Sequence, residues 1–174
     1  MKKEYHIQIT ETINSNRFFG SLFENGDMEY ISQVSHPQDR HLKLKQQVDF
    51  YKIYNPEDGR LMCVINLNYM FPIHKSLLID LEYKNIENYR TFTSDIAKSK
   101  YIDLLNIEIK AINRLPIITS AIKIYENKYR YPNDRVSQRC FDFKRLEQAC
   151  IEYKALKEKM EAQEQAAIGK EEKI

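Results

Sequence analysis

A chain of 174 residues with 43% apolar and 30% charged side chains has the composition of a globular domain with one substantial core, which excludes a disordered or fibrous segment. No run approaches the ~18 uninterrupted apolar residues of a membrane-spanning helix, and Met1-Lys2-Lys3-Glu4 leads straight into a strand pattern, so a cytoplasmic location is expected. The net charge of +2 hides a segregation of basic residues into the second half.

In chain order the first half reads as β. Tyr5, Ile7 and Ile9 alternate with His6, Gln8 and Thr10. Strand-like runs at 17–24 and 28–34 flank Glu24-Asn25-Gly26-Asp27, where Asn-Gly is a hairpin signal. Runs at 48–54 and 61–67 repeat this across Asn55-Pro56-Glu57-Asp58-Gly59. Pro72 should end the last strand or hold it at a sheet edge. The second half reads as α. Ile102, Leu105, Ile109 and Ile112 form one apolar stripe within 98–114, which Leu115-Pro116 interrupts. A second helix is predicted over 117–130, and a third begins after a possible Asp142 cap, with Phe143, Leu146, Cys150, Tyr153 and Met160 on its stripe. Strands first and helices second predict an α+β domain over residues 1–160, with a bent antiparallel sheet under packed helices. Residues 161–174 read as a polar, frayed tail.

Familiar catalytic signatures are missing. There is no glycine-rich phosphate loop, and His6, His36, His41 and His74 lack metal-ligand spacing, so no metal and no cofactor is expected. Cys63, Cys140 and Cys150 are an odd set without Cys-x-x-Cys spacing and read as buried thiols. What remains is Ser35-His36-Pro37-Gln38-Asp39-Arg40-His41, followed by Lys43 and Lys45. Cleaving a phosphodiester without metal requires a proton acceptor, a proton donor and groups that stabilise negative charge. Histidine suits the first two tasks, while Arg, Lys and hydroxyl donors suit the third. The same residues equally make a polar loop facing water. Asn66 and Asn68 are candidates to bond that loop from a neighbouring strand.

Residues 110–145 carry Lys110, Arg114, Lys123, Lys128, Arg130, Arg135, Arg139, Lys144 and Arg145 against Glu126, Asp134 and Asp142. Such a block suits a phosphate backbone, whose counterions it would release, or simply forms a solvated helical face. Tyrosines among these cations, including Tyr125, Tyr129 and Tyr131, are able to stack on unpaired bases or to sit half-buried.

Three blocks together resemble the ToxN/AbiQ family of toxins from type III toxin–antitoxin systems. Arg17-Phe18-Phe19-Gly20 resembles that family's strand ending in glycine. Tyr30-Ile31-Ser32-Gln33-Val34-Ser35-His36-Pro37 resembles its Tyr-Leu-x-Pro-Leu-Thr-Ser-Pro-Lys loop. Val64-Ile65-Asn66-Leu67-Asn68-Tyr69-Met70-Phe71-Pro72-Ile73 resembles its Ile-Asn-Leu-x-x-Met-x-Pro-Ile signature. The resemblance implies a small bent antiparallel barrel of the MazF/Kid type with packed C-terminal helices. It implies a metal-independent endoribonuclease that cuts single-stranded RNA by 2′-hydroxyl attack. It also implies a repeat-derived pseudoknot RNA antitoxin, held with the toxin in a closed protein–RNA assembly, and cellular or phage mRNA as substrate.

On this resemblance Ser35, His36, His41 and Lys43 are the expected catalytic residues. Arg17, Pro37, Gln38, Arg40, Lys45, Lys110, Arg114, Lys123, Lys128 and Arg130 are the expected RNA-binding ones. Ser35 keeps the family loop's first hydroxyl and Pro37 its turn, while His36 replaces the second hydroxyl and Gln38 the lysine. Because glutamine carries no charge, Arg40, Lys43 and Lys45 are the candidates to replace it. Two rival readings stay open on the residues alone: a non-catalytic RNA-binding module of the same fold, and an interaction domain whose basic helices meet an acidic protein.

Overall fold

The computed structural model describes residues 6–7, 17–78 and 82–171, with side chains described over 21–78 and 82–165. Among the described residues six strands form one antiparallel sheet: β1 (His6–Ile7), β2 (Arg17–Asn25), β3 (Met28–Ser35), β4 (Phe50–Tyr54), β5 (Leu61–Asn66) and β6 (Phe71–His74). Its order is β1-β2-β3-β5-β4, with β6 also on β3. Tyr5 and Ile9, expected in the first strand, lie outside the described residues.

The β2–β3 hairpin forms where Asn-Gly predicted it, but one residue out of step. Asn25 pairs with Met28, so Gly26 and Asp27 make the turn. Gly26 has φ of 60° and no described non-glycine residue has positive φ, which defines a type II′ turn with glycine at its first position. The β4–β5 loop closes through Asn55 N–H to Arg60 O (2.8 Å) and Gly59 N–H to Asn55 O (2.9 Å).

Strand β3 is where the sheet bends. Along one edge it pairs with β2. Along the other, Met28–Ile31 pair with β6 while Val34 and Ser35 pair with β5. Two strands sharing one edge diverge beyond Ile31, and the bent sheet that the pattern predicts curls into a half-barrel, as the family resemblance implies. Ser32 bridges the divergence through Oγ donating to Asn66 O (3.2 Å). Pro72 sits opposite Tyr30 on β6, an edge strand whose missing N–H leaves no gap in the sheet interior.

Helices α2 (Asp95–Ile112), α3 (Ile117–Arg130), α4 (Arg135–Arg139) and α5 (Phe143–Glu171) follow, after the short α1 (Asp39–Lys43) between β3 and β4. The break at Leu115-Pro116 falls as predicted. Helix α2 starts earlier than its stripe suggests because Ser94 accepts from Ala97 N–H as a cap. Leu105, Ile109 and Ile112 of α2, Ile117, Ala121 and Ile124 of α3, and Phe143 of α5 are buried. Together with Leu22, Tyr30, Ile53, Cys63, Ile65, Leu67 and Met70 they make up the core. Cys63 and Cys140 are buried and Cys150 is half-buried, all as free thiols. Helix α5 continues past Met160, where the sequence predicts fraying. Its Glu, Gln, Ala and Lys are strong helix formers, and Lys154–Glu158 and Lys157–Glu161 pair one turn apart. Among the described residues no helix is long and apolar enough to cross a membrane.

One half-buried polar knot ties sheet to helices. Glu147 Oε1 accepts from Tyr30 OH (2.7 Å), Asn25 Nδ2 (2.8 Å) and Tyr125 OH (3.0 Å). Tyr30 stacks on Phe23 at 4.5 Å and meets Tyr125 and Phe143 edge-on. Burial, followed by the Glu147 carboxylate, holds the Tyr30 hydroxyl far above its ordinary range and pushes Tyr125 up to about 12. Glu147→Ala should strand the Tyr30 hydroxyl and cost about 2 kcal/mol in urea unfolding, with Glu147→Gln costing less than half of that because it keeps an acceptor.

Candidate active site

The β3 strand delivers Ser35 to its end, and the chain then turns through His36 and Pro37 into α1. The sequence predicts an open polar loop here. A reciprocal cap makes it a helical turn instead: His41 N–H donates to Gln38 O (2.8 Å) and Gln38 N–H donates to His41 Nδ1 (3.1 Å). The cap turns His41 inward, where it is 7% exposed and packs on Phe50 at 5.8 Å. Lys52, reaching across from β4, donates to Leu42 O (3.1 Å) and Leu44 O (2.9 Å) and so fixes the other end of α1.

The result is a groove of about 520 Å³ lined by Ser35, His36, Gln38, Arg40 and His41 on one side and by Phe50, Val64, Asn66 and Tyr69 on the other, with Gln33 and Val34 along β3. Five sequence-predicted residues therefore meet. Pro37, Lys43 and Lys45 lie on the same loop but do not line the groove. Arg17 pairs with Val34 through its backbone, and its side chain lies outside the described residues. Lys110, Arg114, Lys123 and Arg130 are exposed on α2, α3 and the turn between them, away from the groove. Lys128 is turned into the fold, its ammonium donating to Ser137 O (2.9 Å) and Cys140 O (3.0 Å).

Sequence reasoning missed Gln33, Phe50, Tyr69 and Lys52. Tyr69 is half-exposed beside Phe141, with ring centroids 5.0 Å apart, and presents an aromatic face at the groove mouth. Its signal lay in the Val64–Ile73 block, whose resemblance to the family signature singled out no side chain for the site. Asn66 does line the groove, but its side chain caps the following turn by accepting from Asn68 N–H (3.1 Å).

The two groove imidazoles differ in their surroundings. Burial first, and then the cations of Arg40 and Lys52, lower the pKa of His41 from its ordinary value. Gln38 N–H donates to Nδ1 (3.1 Å) and Arg40 Nε–H points at Nε2 (3.4 Å), so both ring nitrogens face donors and the ring is committed to the loop. His36 is exposed and makes no hydrogen bond to the described residues, which leaves both ring nitrogens open to a ligand. Among the described residues no group of three His, Cys, Asp or Glu could hold a metal ion.

The far wall rests on Asp49, whose carboxylate is 2% exposed. Oδ2 accepts from Asn68 Nδ2 (2.8 Å) and from the Arg139 guanidinium of α4 (2.5 Å), and the Asp49 carbonyl accepts from Leu67 N–H (2.8 Å). Asn68 in turn takes the Cys140 thiol (3.3 Å) and the Phe141 N–H (3.1 Å). Burial pushes that thiol up to about 11, so it stays a neutral donor.

Solved structures share this architecture. AbiQ, a lactococcal anti-phage endoribonuclease of a type III toxin–antitoxin system, superposes with a TM-score of 0.64 at 16% identity over 86% of both chains. A bacterial type III toxin selectively inhibited by a non-coding RNA pseudoknot gives 0.63 at 18% identity over 82% of both chains. A bacterial antiviral system regulated by a processed non-coding RNA gives 0.58 at 17% identity over 81% of this chain and 82% of that one. At such identities the likeness defines the fold class. The sequence goes further: residues 4–151 match the family described as toxin ToxN of type III toxin–antitoxin systems, and the chain belongs to that family. No curated protein sequence matches it.

Two outcomes test this geometry. The folded state prefers neutral His41 while the unfolded chain takes up a proton near pH ~6.5, so His41's contribution is complete above that pH and is lost as pH falls below it. Between about pH 7.5 and about pH 5.5 the urea midpoint of the wild type should therefore fall further than that of His41→Asn, which keeps an acceptor for the Gln38 amide. Arg139→Ala should cost about 2 kcal/mol, below the ~3–5 of a fully buried pair because the guanidinium is 39% exposed. Adding Asp49→Asn to that variant should restore part of the loss.

Proposed function

We propose that this toxin is a metal-independent endoribonuclease that cuts single-stranded RNA. The 2′-hydroxyl attacks the adjacent phosphorus, the bond to the 5′-oxygen breaks, and a 2′,3′-cyclic phosphate and a 5′-hydroxyl result. The observation that carries this reading is the meeting of Ser35, His36 and Arg40 in one groove with a half-exposed aromatic at its mouth. His36, open to solvent, exchanges the proton with the reacting oxygens. Arg40 and the Ser35 hydroxyl face the charge that builds on the phosphoryl oxygens. His41, fixed through Nδ1 and faced by the Arg40 guanidinium at Nε2, supports the loop and is not free to act as the base. Arg40 thus takes the duty of the lysine that Gln38 has replaced, while Lys43 and Lys45 grip the strand outside the groove. Tyr69 gives a base a surface on which to stack.

The named neighbours support the rest of the proposal. One is an anti-phage endoribonuclease, one a type III toxin inhibited by a non-coding RNA pseudoknot, and one an antiviral system regulated by a processed non-coding RNA. By this reading the chain works in the cytoplasm on cellular or phage mRNA, arresting growth during infection. It processes a small repeat-derived pseudoknot RNA and is held by it in a closed protein–RNA assembly. Gln38 favours one alternative, a non-catalytic RNA-binding module.

A nuclease assay on mixed single-stranded RNA in EDTA, with product ends identified by mass, separates the two. Protein freed of bound RNA should yield 2′,3′-cyclic ends. His36→Ala should lower kcat at least ~100-fold and Ser35→Ala at least ~10-fold, with the folded state and RNA affinity preserved. Salt-sensitive RNA binding without cleavage by the wild type would establish the binding module instead.

A further inference from the structure

A second cavity, of about 450 Å³, opens on the other side of the turn that leads into β4. Ile124 forms its buried floor, and the half-exposed side chains of Val48 and Tyr131 form apolar walls. Its polar groups are Lys123, Asn127, Asp134 and Ser137, the last with its hydroxyl donating to Asn127 O (3.1 Å). The Tyr131 ring makes no hydrogen bond or ring contact with the described residues, and Lys123 joins no ion pair among them. The Asn127 side-chain amide is likewise unbonded among them, while Asp134 is occupied at Oδ2 by Val136 N–H (2.9 Å). An aromatic wall, an amide able to donate and accept, and a free ammonium at the rim match a flat base with its phosphate attached.

The cavity is also placed to share a strand with the catalytic groove. Phe50 lines the groove and Val48 the cavity, two residues apart and so within about 7 Å along the backbone. Arg139 is bonded to both residues that flank Val48, Gln47 at Oε1 (3.5 Å) and Asp49, yet is 39% exposed, a cation held on the turn that carries Val48 and Phe50. Around the cavity α3 and α4 present Lys123, Arg130, Arg135 and Arg139 against Glu126 and Asp134. That balance favours a polyanion over an apolar peptide.

We propose that this cavity is a nucleobase subsite: an RNA strand engaged in the groove crosses the turn held by Arg139 and seats one unstacked base against Tyr131, with its phosphate on Lys123. The inference rests on the endoribonuclease reading only in its use of the groove. It assigns to the ToxN-family chain a second point of base contact beyond the scissile phosphate.

The test uses the full chain freed of RNA and two substrates: a mixed-sequence single-stranded RNA long enough to span both spaces, and a fragment trimmed to one nucleotide on each side of the mapped cut. Tyr131→Ala should raise KM for the long RNA about ten-fold, the scale of one base–aromatic stack, with kcat unchanged and KM for the fragment unchanged. Tyr131→Phe should behave as wild type, because the ring and not the hydroxyl does the stacking. Affinity for a 2′-O-methyl copy of the long RNA, read by fluorescence anisotropy, should fall by a similar factor in Tyr131→Ala and less in Lys123→Gln. This arm decides the subsite even if the wild type cleaves nothing, so its failure and that of the nuclease reading are told apart. Unchanged affinity in Tyr131→Ala would overturn the proposal, as would equal losses in Tyr131→Phe and Tyr131→Ala, or an equal rise in KM for the trimmed fragment.

Discussion

The groove depends on one buried carboxylate. Asp49 stands immediately before β4, and its side chain is withdrawn from water and held by Asn68 and Arg139. A charge in that position is costly unless every part of its shell is present, so the shell behaves as a unit. Its members come from three separate stretches of chain: the turn into β4, the helical turn after β5, and α4. Phe50, Asn66 and Tyr69, which make the far wall of the groove, are each within three residues of a member of that unit. Oδ1 of Asp49 finds no partner among the described residues, so the carboxylate leans on its two bonded contacts for all its compensation.

The near wall is organised by a different economy of bonds. A five-residue helix has little stability of its own. Here Gln38 and His41 cap its start and the Lys52 ammonium binds the carbonyls at its end. The consequence is chemical as well as structural. The imidazole used as a cap is kept neutral by burial and by the two cations around it, while the imidazole five residues earlier is left exposed. Two identical side chains thus sit in separate surroundings, one committed to holding the loop and one open to solvent. The bond from Gln38 to the His41 ring uses the backbone amide, a group that any residue but proline supplies, so glutamine in place of the family's lysine leaves that bond intact.

Hairpins, the α2–α3 break and the packed helices were legible in the sequence because each is encoded locally, by a glycine turn, a proline or an apolar stripe. The loop from Ser35 to His41 was legible as a chemical cluster and through family resemblance. What could not be read was which polar residues turn inward. His41 and Lys43 are neighbours of equal promise in the sequence, and only the cap that swings one into the groove separates them. Lys128 and Lys123 lie on the same helix with the same charge. Yet one is bonded to the carbonyls of Ser137 and Cys140 and the other faces solvent. Lys52 sits in an alternating strand, and its contact with α1 arises only when the hairpin brings β4 beside the loop. Such choices are made by tertiary contacts, to which periodicity is blind.

The basic block of the second half therefore divides by function rather than acting as one charged face. Lys128 knits α3 to α4, Arg139 neutralises Asp49 while keeping part of its guanidinium in solvent, and Lys123 is unengaged. Arg139 has the most consequential position of the three. Its bond to Asp49 fixes the turn that carries Val48 on one side and Phe50 on the other, so a single ion pair sets both the wall of the groove and the wall of the neighbouring cavity. A phosphate drawn to the exposed part of that guanidinium would compete little with Asp49, whose carboxylate lies inside while the phosphate approaches from water. The residue can thus hold the protein's own structure together and face a polyanion at once, with its two duties separated by depth.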